Sequence, residues 1–187
     1  MAPSKLIIAS LLAGLMFAAP TAALAGSIEI NQFSTEQDAG AITLDADLGF
    51  NFSADALEAL RSGIALTVRM EFEITRRRKF LWDPAVVEIQ QRYSIKRHAL
   101  SERFVLTDLK KQQAEIYQSL DEALKNLGQV RDVNLSSKDA LAADRTYLLR
   151  FKAKLEINSL PALLRPIAYV SPSWRMSTGW HEEILTP

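Results

Sequence analysis

The chain has 187 residues, no cysteine, and 22 basic against 22 acidic side chains, which gives a formal net charge of zero. This balance gives no general attraction to nucleic acid, and the absence of cysteine excludes disulfides, thiol nucleophiles and cysteine-ligated zinc. A chain of this length buries enough apolar surface to fold without cross-links.

The first 25 residues have the features of a secretory signal peptide. Lys5 supplies the positive charge, residues 6–19 form a run that is apolar apart from Ser10, and Ala23 to Ala25 match the small-x-small cleavage pattern. The run is shorter than the about 20 apolar residues of a membrane-spanning helix, which favours a cleaved signal over an anchor. We therefore expect export and cleavage after Ala25, with no transmembrane segment remaining.

Two-residue alternation of apolar and polar side chains dominates the rest of the chain and is typical of strands with one buried face. The segments that show it are 42–50, 64–74, 87–95 and 147–157. Parallel βαβ units would need fully apolar strands separated by long helices, so the pattern indicates antiparallel strands. It places one set of side chains in the core: Val68, Met70, Phe72, Phe151 and Leu155. It places another set outside: Arg69, Glu71, Lys152 and Lys154.

Capping signals predict two short helices between the strands. Ser53 begins a helix that runs through Arg61 and stops before Gly63, and Ser119 with Glu122 forms a capping box ahead of a second helix. Another short turn is predicted from Ser136.

Two further features concern strands and turns. Residues 104–109 and 114–117 resemble a strand pair. Pro161, Pro166 and Pro172 are expected to confine the tail to edge strands and turns.

These patterns together predict a β-rich α+β fold. We expect roughly eight antiparallel strands, arranged as a sandwich or a half-barrel, with two or three short helices. Since no linker or repeat interrupts the sequence, residues 26–187 are predicted to form a single domain.

Histidines and paired carboxylates are the first candidates for catalysis, and for each a structural role is favoured. His98 follows a basic strand, which disfavours a metal ion, and His181 with Glu183 is too small a ligand set for zinc, so a polar, partly frayed terminus is expected there. The acidic pairs Asp45/Asp47 and Glu71/Glu73 fall opposite apolar stripes and are expected on a solvated face. No catalytic residue, metal site or cofactor is predicted.

The densest surface signal is a run of cations followed by aromatic residues. Arg76, Arg77, Arg78, Lys79 and Trp82 are the candidate partner-binding residues, because the cations suit an anionic lipid or protein and the ring can stack or insert. The alternative is a hairpin tip whose charges prevent edge-to-edge strand association.

Trp174 and Trp180 are the remaining candidates for a binding surface. Exposed tryptophans can form binding platforms, but core packing is favoured for both.

Residues 160–180, Leu-Pro-Ala-Leu-Leu-Arg-Pro-Ile-Ala-Tyr-Val-Ser-Pro-Ser-Trp-Arg-Met-Ser-Thr-Gly-Trp, resemble the C-terminal signature of the DUF4390 family. Residues 63–67, 76–80 and 120–127 resemble that family's central strand entry, arginine-rich hairpin and capped helix. The resemblance implies a bacterial envelope protein from a family with no established activity, whose genes often adjoin a membrane sensor kinase and its response regulator.

The leading hypothesis is therefore a non-enzymatic periplasmic interaction protein. Its expected partner is an envelope protein, such as the sensor kinase, or an anionic membrane surface, and not nucleic acid. Two alternatives stay open: a carrier for an apolar ligand, which needs a cavity between sheet and helices, and a hydrolase that uses paired carboxylates.

Overall fold

The fold is taken from a computed structural model, which describes residues 25–38, 41–76, 85–135, 141 and 145–185. The strands in these ranges are β1 (Ser27–Asp38), β2 (Ala41–Asn51), β3 (Leu66–Arg76), β4 (Ala85–Arg97), β5 (Phe104–Asp108), β6 (Gln113–Tyr117), β7 (Gln129–Asn134), β8 (Tyr147–Leu155) and β9 (His181–Leu185). The α-helices are α1 (Ala54–Arg61), α2 (Leu120–Gly128) and α3 (Arg165–Val170), with 3-10 turns at Ile157–Ser159 and Pro172–Trp174.

The strands form two antiparallel sheets that do not close into a barrel. Sheet A has the order β1-β2-β7, and sheet B has the order β6-β5-β4-β3-β8-β9. The sheets pack against each other through rings such as Phe33 of β1, whose centroid lies 6.0 Å from that of Phe151 of β8. The predicted β-rich α+β class is confirmed, and of the two arrangements left open the strands adopt the sandwich.

The alternation predicted for residues 64–74 and 147–157 is confirmed in β3 and β8, although β8 ends at Leu155 and Glu156 is buried. Phe72 pairs with Phe151 across the two strands, and their ring centroids lie 5.0 Å apart in the core. All five predicted core residues are buried, whereas the four predicted outer residues are partly exposed. The buried residues form a core that also includes α1 and α2.

Both predicted capped helices are present. The Ser53 hydroxyl accepts a hydrogen bond from the Ala56 amide at 3.2 Å, and Gly63 takes the left-handed conformation, with φ +79°, after α1 ends. The Ser119 hydroxyl accepts from the Glu122 amide, and the Glu122 carboxylate accepts from the Gln118 amide. The predicted strand pair before α2 is also present, as β5 and β6. The predicted turn from Ser136 lies outside the described residues.

Strands β1 and β7 were not predicted, because each contains a bulge that breaks the alternation. The register of β1 shifts between Ile30 and Gln32, so that Phe33 rather than residue 32 continues the inward face. In β7, the inward residues Val130 and Val133 are three apart, since an extra residue is inserted opposite β2.

The expected frayed terminus is wrong, because residues 181–185 are strand β9. It pairs antiparallel with β8, and the ring of His181 packs 4.4 Å from that of Phe33. This pairing directs His181, Glu183 and Leu185 inward and therefore turns Trp180 outward. Core packing is confirmed for Trp174, which is buried, but is wrong for Trp180, which is partly exposed on the outer face of sheet B.

Gly128 allows α2 to pack closely on β2, and its replacement gives a first prediction. A Cβ at Gly128 would lie 2.2 Å from the Leu48 carbonyl oxygen, whereas a Cβ at Gly49 would meet the flexible Asn31 amide at 3.2 Å. We expect Gly128→Ala to lower the free energy of unfolding by about 1–3 kcal/mol, because backbone must move, and Gly49→Ala to change it by less than about 1 kcal/mol. Denaturant titration measures both, and equal losses would contradict this packing.

Candidate docking surface

The most exposed apolar surface of the described residues lies on α3 and the turn before it. Leu163, Ile167 and Val170 follow the helical spacing i, i+4, i+7 and are 89%, 61% and 74% exposed, with Tyr169 half exposed beside them. We call these four residues the apolar ridge. An amphipathic helix of a globular protein normally turns its apolar stripe to the core, so a stripe turned to solvent marks a contact surface.

Proline residues and side-chain bonds fix the ridge in place. The prolines were expected to confine the tail to edge strands and turns, which is wrong for Pro166: it lies in the first turn of α3, where its missing N–H costs no intrahelical bond.

Side-chain contacts hold the ridge against the fold. Ala168 is the buried residue of α3, and Arg165 Nε donates to the Leu160 carbonyl at 2.7 Å. The Tyr169 hydroxyl donates to Asn158, and Arg175 donates to the Tyr169 carbonyl at 2.9 Å. The ridge is thus tied to the fold on both sides.

An apolar groove of about 350 Å³ separates the ridge from α1. Ile64, Leu164, Ile167 and Trp174 form most of its walls, and Asp55 and Glu58 of α1 lie along one side. The groove is open to solvent and shares Ile167 with the ridge, so it extends the exposed apolar surface from the ridge towards α1.

Cationic and anionic side chains share the end of the molecule that carries the ridge. This end comprises α1, residues 96–104, residues 117–122 and residues 157–176, because β4 and β6 end and β5 begins beside the start of β3 and the end of β8. Its cationic side chains are Arg61, Lys96, Arg97, Arg103, Arg165 and Arg175, and its carboxylates are Asp55, Glu58, Glu102, Asp121 and Glu122. Within the described part of the chain, Arg165 and Arg175 have no salt bridge.

Of the predicted arginine-rich site, the structure describes only Arg76, which lies at the opposite end of sheet B. Arg76 is the last residue of β3, and its partly buried side chain leaves Nε without a hydrogen-bond partner among the described residues. Arg77, Arg78, Lys79 and Trp82 lie outside the described residues. Because β3 has eleven residues, Arg76 and the ridge end are about 35 Å apart along the sheet.

Ion pairs cover the outer face of sheet B and occupy the predicted acidic pair there. Glu71 contacts Lys154 at 2.8 Å and Arg69 at 3.5 Å, and Glu73 contacts Arg150 at 3.3 Å. This confirms the outward placement of Glu71 and Glu73. The second acidic pair is also engaged, since Asp45 accepts from the Asp132 amide at 2.8 Å and Asp47 pairs with Arg131.

Glu156 and Trp180 complete this outer face. The buried Glu156 carboxylate pairs with Arg69 and, at 2.8 Å, with Arg92. Its hydrogen bond to Arg69 raises the pKa of that guanidinium, so Arg69 stays charged. The Trp180 ring lies 4.3 Å from the Arg150 guanidinium and 5.3 Å from the Lys152 ammonium, which are cation–π distances. These contacts give the face a structural role.

The histidines are far apart in the fold, at the β4–β5 turn and in β9. His98 is exposed and its Nδ1 lies 3.2 Å from the Ser101 hydroxyl, whereas His181 packs on Phe33 with no ligand set around it. No group of three or more histidine, aspartate or glutamate side chains within the described ranges is arranged to hold a metal ion.

A polar cleft of about 430 Å³ lies between β7 and the inner face of β4, β5 and β6. The Tyr93 hydroxyl in its wall donates to Gln91 at 3.2 Å, and burial, with the charge of Asp108, raises the pKa of Tyr93. Tyr93 therefore remains a hydrogen-bond donor. Carboxamides and charged side chains line most of the cleft, so it differs from the apolar cavity that a carrier for an apolar ligand needs.

Comparison with protein-family models assigns the chain to a family. The model described as a domain of unknown function, DUF4390, matches residues 25–183, which is most of the chain. The chain belongs to the DUF4390 family. No curated protein and no solved structure matches it.

The DUF4390 match includes the whole segment that forms the ridge. Residues 160–180, which carry the sequence resemblance, build α3, the following 3-10 turn and the approach to β9. Among the described residues of this DUF4390 chain, no helix has both the length and the apolar character needed to cross a bilayer. The ridge was not predicted from the sequence, although the helical spacing of Leu163, Ile167 and Val170 is visible in it.

Proposed function

We propose that this DUF4390 protein is a non-enzymatic accessory protein of the bacterial periplasm that docks on an envelope component through the apolar ridge. The observation that carries the proposal is the solvent exposure of Leu163, Ile167 and Val170 on a helix that is bonded firmly to the fold. Exposing a contiguous apolar stripe is unfavourable in water, and soluble domains retain such patches chiefly where another surface covers them.

Two further observations support the location and the kind of partner. The signal-peptide pattern of residues 1–25 supports export, with a mature chain that begins at Gly26. The neighbouring sensor-kinase genes that the family resemblance implies support a partner in the inner membrane or beside it. A kinase sensory region and the membrane around it are both envelope components in this sense.

Loss of envelope association is the expected result when the ridge is made polar. In cells, the Leu163→Ser/Ile167→Ser/Val170→Ser variant should be exported and processed to Gly26, but it should no longer be recovered with crosslinked envelope material. The matched variant replaces Arg76, Arg77, Arg78 and Lys79 with serine, and it should retain association. Because the three ridge side chains are exposed, the melting temperature of the ridge variant should change little.

The opposite pattern would place docking on the arginine-rich cluster instead. If the cluster variant loses association and its salt sensitivity while the ridge variant keeps both, docking through the ridge is wrong. If an uncleaved N-terminus is recovered in the membrane, the export proposal is wrong.

A second candidate function is the binding of an apolar ligand, which the groove between α1 and α3 favours. Its volume of about 350 Å³ is within the range of small-molecule sites, and Ile64, Leu164 and Trp174 provide apolar walls. Docking is preferred because the groove opens to solvent and continues onto the ridge. The carboxylate hydrolase has less support, since both acidic pairs are engaged by cations or amides.

A further inference from the structure

The chemistry around the apolar ridge indicates which envelope component it contacts. This inference rests on the proposed docking function and concerns the surface that the ridge meets. Three features bear on it: the side chains at the ridge, the cations beside it, and a second apolar side chain at the same end of the molecule.

The ridge combines apolar side chains with an aromatic residue of mixed character. Leu163, Ile167 and Val170 offer only hydrocarbon, whereas Tyr169 exposes half of its surface and keeps its hydroxyl bonded to Asn158. Tyrosine and tryptophan are enriched at the level of lipid headgroups, because an apolar ring and a polar tip suit that layer. This combination fits the boundary between headgroups and acyl chains.

Two arginines flank the ridge without carboxylate partners in the described ranges. Arg165 and Arg175 each donate to a backbone carbonyl, at 2.7 and 2.9 Å, and a guanidinium has five N–H donors in total. Further donors therefore remain for an external anion. These two guanidinium groups, which lie beside the ridge without a carboxylate partner in the described ranges, complement an anionic surface.

Leu100 adds a second apolar contact at the same end. It lies in the turn between β4 and β5 and is 93% exposed. Arg97, at the base of this turn, donates to the Arg61 carbonyl of α1 at 3.4 Å, and α1 borders the groove beside the ridge. Two separate apolar projections, one of them flanked by Arg165 and Arg175, suit an extended lipid surface better than a single helix bound in the groove.

We infer that this end of the molecule is a peripheral membrane-contact face. Leu163, Ile167 and Val170 enter the headgroup layer of an anionic bilayer, and Arg165 and Arg175 contact lipid phosphates. Arg76, the last residue of β3, then lies at the end of sheet B that is remote from the membrane.

The absence of cysteine provides a direct test. In the mature chain, Ile167→Cys creates a single thiol for an environment-sensitive fluorophore, and Ile184→Cys in β9 is the matched control, since the two isoleucines are 61% and 57% exposed. With vesicles of phosphatidylethanolamine and phosphatidylglycerol, the probe at 167 should shift to shorter wavelength and the probe at 184 should not. Vesicles of phosphatidylcholine alone should give a much smaller shift.

Charge variants test the role of the arginines. Arg165→Gln/Arg175→Gln should weaken binding to the anionic vesicles about thirtyfold, whereas Arg165→Lys/Arg175→Lys should retain most of it, because each cation near an anionic surface contributes similarly. Circular dichroism and melting of each variant confirm that the fold is intact.

The possible failures are distinguishable from one another. No shift at 167 with anionic vesicles, or an equal shift at 184, would overturn the membrane contact. If the probe at 167 then shifts with a co-purified envelope protein, docking through the ridge stands and only the lipid assignment is wrong. If it shifts with neither, both proposals fail.

Discussion

Replacing Phe151 with alanine is expected to lower the free energy of unfolding by about 3–5 kcal/mol. Phe151 is fully buried, and its ring contacts Phe72 within sheet B and Phe33 of sheet A. Removing it leaves a cavity where the two sheets meet, and three strands at that point cannot all move to fill it. Denaturant unfolding of a chain of residues 26–187 measures the loss.

The neighbouring residue in β8 provides the control for this change. Lys152 points to the outer face, so Lys152→Ala removes only partly exposed methylene groups and a 5.3 Å contact with Trp180. We expect it to lower the free energy of unfolding by about 0.5 kcal/mol. Similar losses for Phe151→Ala and Lys152→Ala would mean that the two faces of β8 are assigned wrongly.

Glu156→Ala is expected to lower the free energy of unfolding by about 2–3 kcal/mol. The carboxylate is buried between Arg69 and Arg92, and its removal leaves two guanidinium groups without their main partner. The expected loss is below the upper range for buried pairs, because both arginines retain contact with water.

An exposed ion pair provides the comparison for Glu156. Glu102 contacts Arg97 at 2.8 Å but is 75% exposed, so Glu102→Ala should change the free energy of unfolding by less than about 1 kcal/mol. Thermal or denaturant unfolding of the two variants under the same conditions checks the difference. If Glu156→Ala lowers the free energy of unfolding no more than Glu102→Ala does, the ion pairs of Glu156 with Arg69 and Arg92 do not stabilise the fold.

The strands with unbroken alternation could be predicted from the sequence, because a strand with one buried face repeats every two residues. Strands β3 and β8 pair with each other without a register shift, and their buried faces were predicted correctly. In β1 and β7 a single extra residue moves the following side chains to the other face. Such bulges depend on pairing with a partner strand, which a local pattern does not contain.

The candidate site was less predictable, since it depends on what covers each surface. The spacing of Leu163, Ile167 and Val170 can be read from the sequence, but an apolar stripe ordinarily indicates a buried face. Only the placement of α3 beyond the end of β8 leaves this stripe in solvent. The same reasoning applies to Trp180, which the pairing of β9 turns outward although tryptophan is mostly a core residue.

Docking through the apolar ridge is tested most directly by photocrosslinking in living cells. A photoreactive residue in place of Ile167 reports on the ridge, one in place of Ile184 reports on a similarly exposed apolar position in β9, and one in place of Arg78 reports on the arginine-rich cluster. We expect position 167 to crosslink to envelope lipid or protein much more strongly than position 184 or 78. Crosslinking that is as strong at 184, or stronger at 78, would contradict docking through the ridge.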